Sequence, residues 1–404
     1  MTRKPLLFLM TTLLTASPVS GQTLLEAPVS RGTYDTASAA FGIEGAGSAV
    51  LVSDHAAGIV ALDLSDPDFP TVLASQDTPS FARNAAYADS ILLVADRFSG
   101  LRVYAWDGAS DLRFRGTVDT PGLALSVAHY DRFAVVADKE TGLQVIDYLD
   151  SIPPAIIGSI DTPGFANDVA VQGEFAFVAD FDQGVRIYSL FDPTQPVARG
   201  SRATAGDANT IAVRGSYAYV ADGTRGLLIL DVADPDAPIV AGSIDTPGTA
   251  NELTLVGDYV LLAAGSAGLQ VIDVSDPSQP SLEWSWATTS TAFHVAAAGA
   301  VAALATGPSG IEVVQVFQEP ATAAPAAPRN APVLTGNFPN PFNPSTTIRY
   351  VPANGVDPLE IVIHDLAGRR IRELFRGVQA AVPHEVTWDG RDAADRVVAS
   401  GVYV

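Results

Sequence analysis

A period of 42 residues governs this chain. The segment Phe133–Asp147, FAVVADKETGLQVID, recurs as FAFVADFDQGVRIYS, YAYVADGTRGLLILD and YVLLAAGSAGLQVID. Aligned on the residue that ends the first of its strands, the copies place Asp54, Asp96, Asp138, Asp180 and Asp222, then Ala264 and Thr306, in one register. A Gly follows four positions later every time, from Gly58 through Gly310. A unit this short cannot bury an apolar face by itself, so tandem copies must stack on their neighbours.

Each unit reads as four short strands. NDVAVQG alternates apolar and polar residues, FAFVAD follows a Gly-Glu turn, GVRIYSL follows the DxxxG turn, and an SDPxxP-like turn leads to a fourth strand before DTPG. Seven such units predict an all-β fold, a seven-bladed β-propeller spanning residues 22–317. The last copy ends near Phe317 after its third strand, while Glu26–Thr36 resembles a fourth strand with nothing before it. The N-terminal segment is therefore expected to supply the outer strand of the last blade. The repeated Gly suits a hairpin position with φ > 0, and the repeated Asp suits acceptance of loop amides. No copy has the DxDxDG spacing with a distant Glu that a calcium loop requires.

Composition narrows the class of partner. The 404 residues carry a formal charge of −22, with 48% hydrophobic and 17% charged residues. No basic stripe is available to displace counterions from phosphates, so no nucleic-acid partner is expected. There are no cysteines, which excludes disulfides and thiolate chemistry. Arg3 and Lys4 precede an apolar run from Leu6 to Leu14, and Val19-Ser20-Gly21 offers small residues for a signal peptidase. Residues 1–21 are read as a signal peptide cleaved before Gln22. That run is too short to cross about 30 Å of hydrocarbon as a helix, and no transmembrane segment is expected.

A Pro- and Ala-rich linker, 318–332, precedes a region of different character at 333–404. There, short β patterns separated by Asn-Pro, Ala-Gly and Asp-Gly turns predict a small Ig-like β-sandwich.

Two resemblances follow from these residues. VADKETGLQVID, VADGTRGLLILDVADP and LQVIDVSDP resemble the bacterial LVIVD repeat, over roughly Gln22–Phe317. That resemblance implies an extracellular or surface propeller with no established activity. Copies six and seven depart from it at Ala264 and Thr306 and lack DTPG after Ser281, which marks their blades as the least regular. In the tail, Asn337–Pro344, Asp365–Arg369, Trp388-Asp389-Gly390 and Ser400–Tyr403 resemble the C-terminal sorting domains of type IX secretion substrates, which share an Ig-like form with flagellar hook-capping proteins. The resemblance implies an outer-membrane secretion machinery as partner and an extracellular or cell-surface location. Asp395 stands where that family usually has Gly, and the chain stops at Val404, before the final strand such domains carry.

No catalytic constellation is visible. His55, His129, His294, His364 and His384 show no HExxH or paired spacing, and neither a GxSxG elbow nor a Walker loop is present. No enzyme, cofactor or metal is expected. The signal lies instead where the copies disagree. At the start of each inner strand one register reads Gly42, Asn84, Ser126, Asp168, Thr210, Glu252 and His294. By analogy with WD-repeat propellers, this ring shares a face with the DxxxG loops, which carry Arg97, Phe98, Lys139, Phe181, Asp182 and Arg225. Together they are candidate ligand-facing residues of a secreted binding scaffold for a surface protein or polysaccharide. The alternative is an extracellular propeller enzyme, either a glycan hydrolase or lyase or a quinoprotein-like oxidoreductase; carboxylates from different blades facing each other across the channel would favour a glycosidase.

Overall fold

The computed structural model describes residues 23–151, 153–318, 333–338, 346–351, 359–364, 370–378, 384–392, 396 and 398. Every regular element among them is a β-strand, and the chain divides into two compact units, 1–320 and 321–404. The leader, most of the linker, most of Asn337–Pro344, and the motifs at Asp365–Arg369 and Ser400–Tyr403 lie outside the described residues.

The first unit holds seven four-stranded antiparallel sheets, the blades of a propeller. In blade 1 the strands run from the inside outward as Gly42–Ala46, Ala49–Ser53, Ile59–Asp63 and Thr71–Gln76, and blades 2–6 repeat this order. Blade 7 is composite. His294–Ala298, Val301–Ala305 and Ile311–Phe317 are completed by Leu24–Tyr34, with Ser30 opposite Val314 and Tyr34 opposite Ile311. The ring thus closes on the strand that the phase of the repeat had left over.

The core is divided among the seams between blades. Ile91, Leu93 and Ala95 pack toward Val127, Ala134 and Val136 of blade 3, while Leu92 and Val94 of the same strand pack toward Leu51 and Ala61 of blade 1. A strand buried on both faces has no polar side, which is why its sequence reads as the unbroken apolar run ILLVA. One further cluster, with Val50 and Leu62 against Ala303 and Val313, joins blade 1 to blade 7.

Five of the seven crossovers between blades are gripped from both sides by the repeated Gly and Asp. Gly142 of blade 3 has φ +69°, and a Cβ on it would lie 2.6 Å from Thr162 N and 2.7 Å from Asp161 Cα in the turn that leaves its blade. From blade 4, Asp180 accepts the N–H of Gly164 in that same turn at 3.0 Å. The equivalent bond reaches Asp54 from Ser38, Asp96 from Ser80, Asp138 from Gly122 and Asp222 from Gly206. Asp138 also accepts the hydroxyls of Thr120 and Thr141, each at 2.6 Å. The crossover entering blade 1 is the N-terminal one, held between Gly310 and Asp54.

The two departures from the repeat have different consequences. Ala264 supplies no carboxylate to the crossover that enters its blade. Where Thr306 replaces Asp, Glu312 takes over. Its carboxylate accepts the N–H and hydroxyl of Thr289 at 3.0 and 3.2 Å and the indole N–H of Trp286 at 3.0 Å. Blade 7 also explains Trp284. Five of the six equivalent outer-strand positions before it hold Gly, and at Gly200 a Cβ would lie 2.7 Å from Pro238 Cδ of the next blade's Asp-Pro turn. Blade 7 has no such turn, because its outer strand comes from the N-terminal end, and Trp284 packs beside Phe317 and Leu24.

In the second unit, Val333–Phe338, Thr346–Val351 and His384–Trp388 form one sheet, and Leu359–His364 pairs with Arg370–Gly377. Trp388 is buried and donates its indole N–H to Arg391 O at 2.9 Å, across the Trp-Asp-Gly turn.

Two stability measurements test the grip. Gly142→Ala is expected to cost about 3 kcal/mol in denaturant unfolding, whereas Gly173→Ala, at φ +59° with nothing within 4 Å of a Cβ, costs about 1 kcal/mol. Asp138→Ala is expected to cost about 3 kcal/mol because it strands the Gly122 amide and the buried Thr120 hydroxyl. Equal costs for the two Gly variants, or an unchanged midpoint for Asp138→Ala, would show that the crossovers are not clamped.

Candidate binding site

The seven inner strands surround a channel, and the variable register begins each of them. Their first residues are Gly42, Asn84, Ser126, Asp168, Thr210, Glu252 and His294. A cavity of about 160 Å³ opens there, well above the roughly 10–15 Å³ that admits one water. Its lining includes six of these residues, all but Gly42. The other six come from the preceding position of the repeat: Arg83, Leu125, Asn167, Asn209, Asn251 and Phe293.

These side chains are held by a belt that runs from blade to blade. Asn84 Oδ1 accepts the N–H of Val127 at 3.4 Å, and Asp168 Oδ2 accepts that of Ile211 at 2.9 Å. The Ser126 hydroxyl donates to Asp168 Oδ1. Thr210 shares its proton between Asn251 O and Glu252 Oε2, at 2.7 and 2.9 Å. Glu252 Oε2 also lies 3.0 Å from His294 Nε2, while His294 Nδ1 is 3.3 Å from the N–H of Ile43. Since Nδ1 accepts a backbone proton, the network assigns His294 the tautomer with hydrogen on Nε2, donated to Glu252. Asn209 and Asn251 donate to Ala250 O and Ala292 O at 2.9 and 3.0 Å.

Burial in this ring shifts its carboxyls. Asp168 is pushed up to about 6 by burial and by Glu252, against the hydrogen bonds from Ile211 and Ser126. Glu44, two residues into its strand, is pushed up to about 8 by burial and then by Glu252. Part of its surface is accessible, but protein surrounds the channel and bulk solvent reaches the carboxyl only along it. At neutral pH Glu44 therefore keeps its proton, and no hydrogen bond to it is present among the described residues. Burial also pulls Arg83 down, partly offset by Glu252 and Asp168.

The DxxxG loops stand on the same face as the ring. Arg97 pairs with Ala124, Lys139 with Ala166 and Phe181 with Ala208, each bridge joining a loop to the lead-in of the next inner strand. Arg97, Lys139 and Phe181 have φ of +40°, +50° and +48°, as does His55 at +44°, where blades 5, 6 and 7 use Gly. Phe98 is 61% exposed, under the Arg97 guanidinium at 5.7 Å. From it an aromatic arc runs inward through Phe81, His55 and Phe41 to Phe293 on the cavity wall, with successive centroids 6.2, 4.2, 5.3 and 4.9 Å apart. Lys139, Phe165 and Phe181 form a separate group, with Lys139 Nζ 5.2 Å from the Phe165 ring. Asp182 and Arg225 are exposed on their turns and join neither group.

Sequence reasoning thus named one of the two registers that line the cavity. Arg83, the three Asn residues and Phe293 lie one position earlier in the same 42-residue alignment. Glu44 was legible as the one carboxylate in a column otherwise holding five Ala and one Thr. Among the described residues no group of three or more His, Cys, Asp or Glu is placed to hold a metal ion, and no helix is long and apolar enough to cross a membrane.

Glu44 yields a signed prediction. Its folded-state value lies above the ordinary one, so its contribution to stability is complete below the usual carboxylate range and is lost as pH rises through about 8. Glu44→Gln is expected to leave the thermal midpoint nearly unchanged at pH 4 and to raise it at pH 9, by on the order of 3 kcal/mol of stability. A variant no more stable than the parent at pH 9 contradicts a buried protonated Glu44.

Comparison with known proteins agrees with this architecture. Residues 121–162, 163–204, 205–246 and 247–288 each match the LVIVD repeat, and residues 343–404 match the FlgD Ig-like domain. No curated protein matches the chain. Among solved structures, the computationally designed Ika8 protein is 10% identical with a TM-score of 0.54, covering 71% of this chain and 98% of its own. A chain of a mitotic checkpoint complex is 11% identical with a TM-score of 0.59, covering 78% of this chain and 100% of its own. At such identities the likeness concerns the fold alone. The chain is an all-β protein that carries LVIVD repeats in a seven-bladed propeller and an FlgD Ig-like domain behind it.

Proposed function

We propose that this chain is a non-enzymatic recognition module of the cell surface, exported by its leader and by the C-terminal domain acting as a sorting signal for an outer-membrane secretion machinery. Its partner is a surface protein or polysaccharide, docked on the mouth formed by the inner-strand register and the DxxxG loops. The observation that carries this reading is a polar cavity, fixed by the interblade belt, opening among exposed aromatic and cationic loop residues. Four of the loops hold a bulky residue at positive φ, at a cost of about 1 kcal/mol each that Gly would relieve. Retaining those side chains is consistent with a use for them. The fixed belt limits the ordering entropy lost on docking.

One observation favours a second reading, an extracellular glycan hydrolase. Glu44 and Asp168 are both pushed up by burial and by Glu252, and a carboxyl held protonated is what glycoside hydrolysis uses as its general acid. Against it, both oxygens of Asp168 and one of Glu252 are already engaged in the belt.

The test is binding of the full chain to an array of envelope polysaccharides and surface proteins, with product formation monitored. Phe98→Ala/Phe165→Ala, which removes two exposed rings, is expected to weaken the captured ligand at least about tenfold without turnover. Unchanged affinity contradicts docking at the mouth, and product release that is lost in Glu252→Gln selects the hydrolase.

A further inference from the structure

The aromatic arc occupies one side of the mouth, and it carries a cation for which the fold supplies no acceptor. Phe41 and His55 belong to blade 1, Phe81 and Phe98 to blade 2 and Phe293 to blade 7, so the arc crosses the seam where the ring closes. All five residues are at least partly exposed. Beside them Arg97 is partly buried, with its guanidinium carbon 5.7 Å from the Phe98 centroid. None of its side-chain nitrogens has a hydrogen bond or a carboxylate partner among the described residues, and its Nε is buried in that state. Arg83, further in, differs: it donates to Phe41 O at 3.3 Å, and Glu252 and Asp168 balance its charge. Burial, and after it the Arg97 charge, holds His55 below its ordinary value, so its ring is neutral at neutral pH. The carboxylates that open these two loops, Asp54 and Asp96, are buried and committed to Ser38 and to Thr78 and Ser80. Arg97 is therefore the cation that the arc leaves for a ligand.

We propose that this arc takes an acidic polysaccharide, a hexuronate unit setting its carboxylate on the Arg97 guanidinium and its ring C–H groups on Phe98, with the following units along Phe81 and His55. This rests on the mouth being the docking face and says which of the two partner classes it reads. A guanidinium offers a carboxylate two parallel N–H donors, and Arg97 has no existing bond to give up for them. The negative face of an aromatic ring attracts the weakly positive C–H groups of a pyranose, and a preformed row of rings repeats that contact from one sugar unit to the next. An acidic peptide would meet Arg97 through a Glu or Asp side chain and leave most of the row bare, so the rings favour the glycan. The formal charge of −22 is spread over the whole chain, and charges beyond about 8 Å are largely screened at physiological salt, whereas the pair at Arg97 is in contact.

Titration of the full chain with oligomers of galacturonate and of mannuronate tests the assignment, with their methyl esters as uncharged controls and acetyl-triglutamate amide as the acidic peptide. Saturable binding of at least one uronate is expected, with upfield shifts of its ring protons and at least tenfold weaker binding of its ester and of the peptide. Arg97→Gln and Phe98→Ala, each checked for an unchanged thermal midpoint, should each weaken that uronate at least tenfold. No uronate binding to the parent protein, equal binding of acid and ester, or full affinity in Arg97→Gln overturns the proposal. Binding of the peptide as tightly as the uronates also overturns it and makes the arc a site for an acidic protein segment. If the uronates fail while Phe98→Ala/Phe165→Ala still loses a captured surface ligand, the mouth stands as a docking face and only the acidic-sugar assignment falls. If neither effect appears, both fall.

Discussion

The grip on the crossover turns is the constraint from which the rest of this propeller follows. A blade of four short strands leaves apolar surface on both faces, and only a neighbour at the correct angle covers it. At five of the seven joints the turn that links neighbours is caught between a Gly of one blade, close enough that no Cβ fits, and a buried Asp of the next that takes its amide. The arrangement repeats at the seam, where Gly310 and Asp54 hold the N-terminal crossover and Leu24–Tyr34 completes blade 7. A ring closed in this way needs no disulfide, and the chain has no cysteine to form one.

The same closure governs the chemistry of the mouth. Seven inner strands brought side by side leave polar side chains with no neighbours but one another, so hydrogen bonds between blades are their main means of satisfaction. Asp168 reaches the amide of blade 5, and His294 reaches that of blade 1, across the seam. Burial within the ring, with Glu252 adding to it, is what pushes Asp168 and Glu44 upward. The belt's requirement for a partner in the next blade accounts for the polar character of the register.

Much of this was legible in the sequence because the repeat length is constant. The period gave the blade count, the unpaired segment Glu26–Thr36 identified the closing strand, and the register from Asn84 to His294 named half of the cavity lining. The remainder depends on contacts that a linear alignment does not display. Phe41 and Phe293 lie far apart in the chain and meet only across the closed seam. Glu312 replaces the carboxylate missing at Thr306 from a different strand position, where other blades carry Gln, Arg, Leu or Val. Trp284 breaks a column of small residues because the following blade lacks the turn that would exclude it. The candidate rim was mixed: Arg97, Phe98, Lys139 and Phe181 join aromatic groups, whereas Asp182 and Arg225 do not, since loop position alone does not specify side-chain direction.

Amide hydrogen exchange on the full chain tests the closed, belted ring most directly. The account predicts that the amides of Leu24–Tyr34 paired with Ile311–Phe317, and those of Ile43 and Ile211 in the belt, exchange as slowly as the middle strands of blades 2–5 and lose protection together with them. Rapid exchange of the N-terminal strand or of the Ile43 and Ile211 amides, beside protected middle strands, would show an open ring and contradict a preformed mouth.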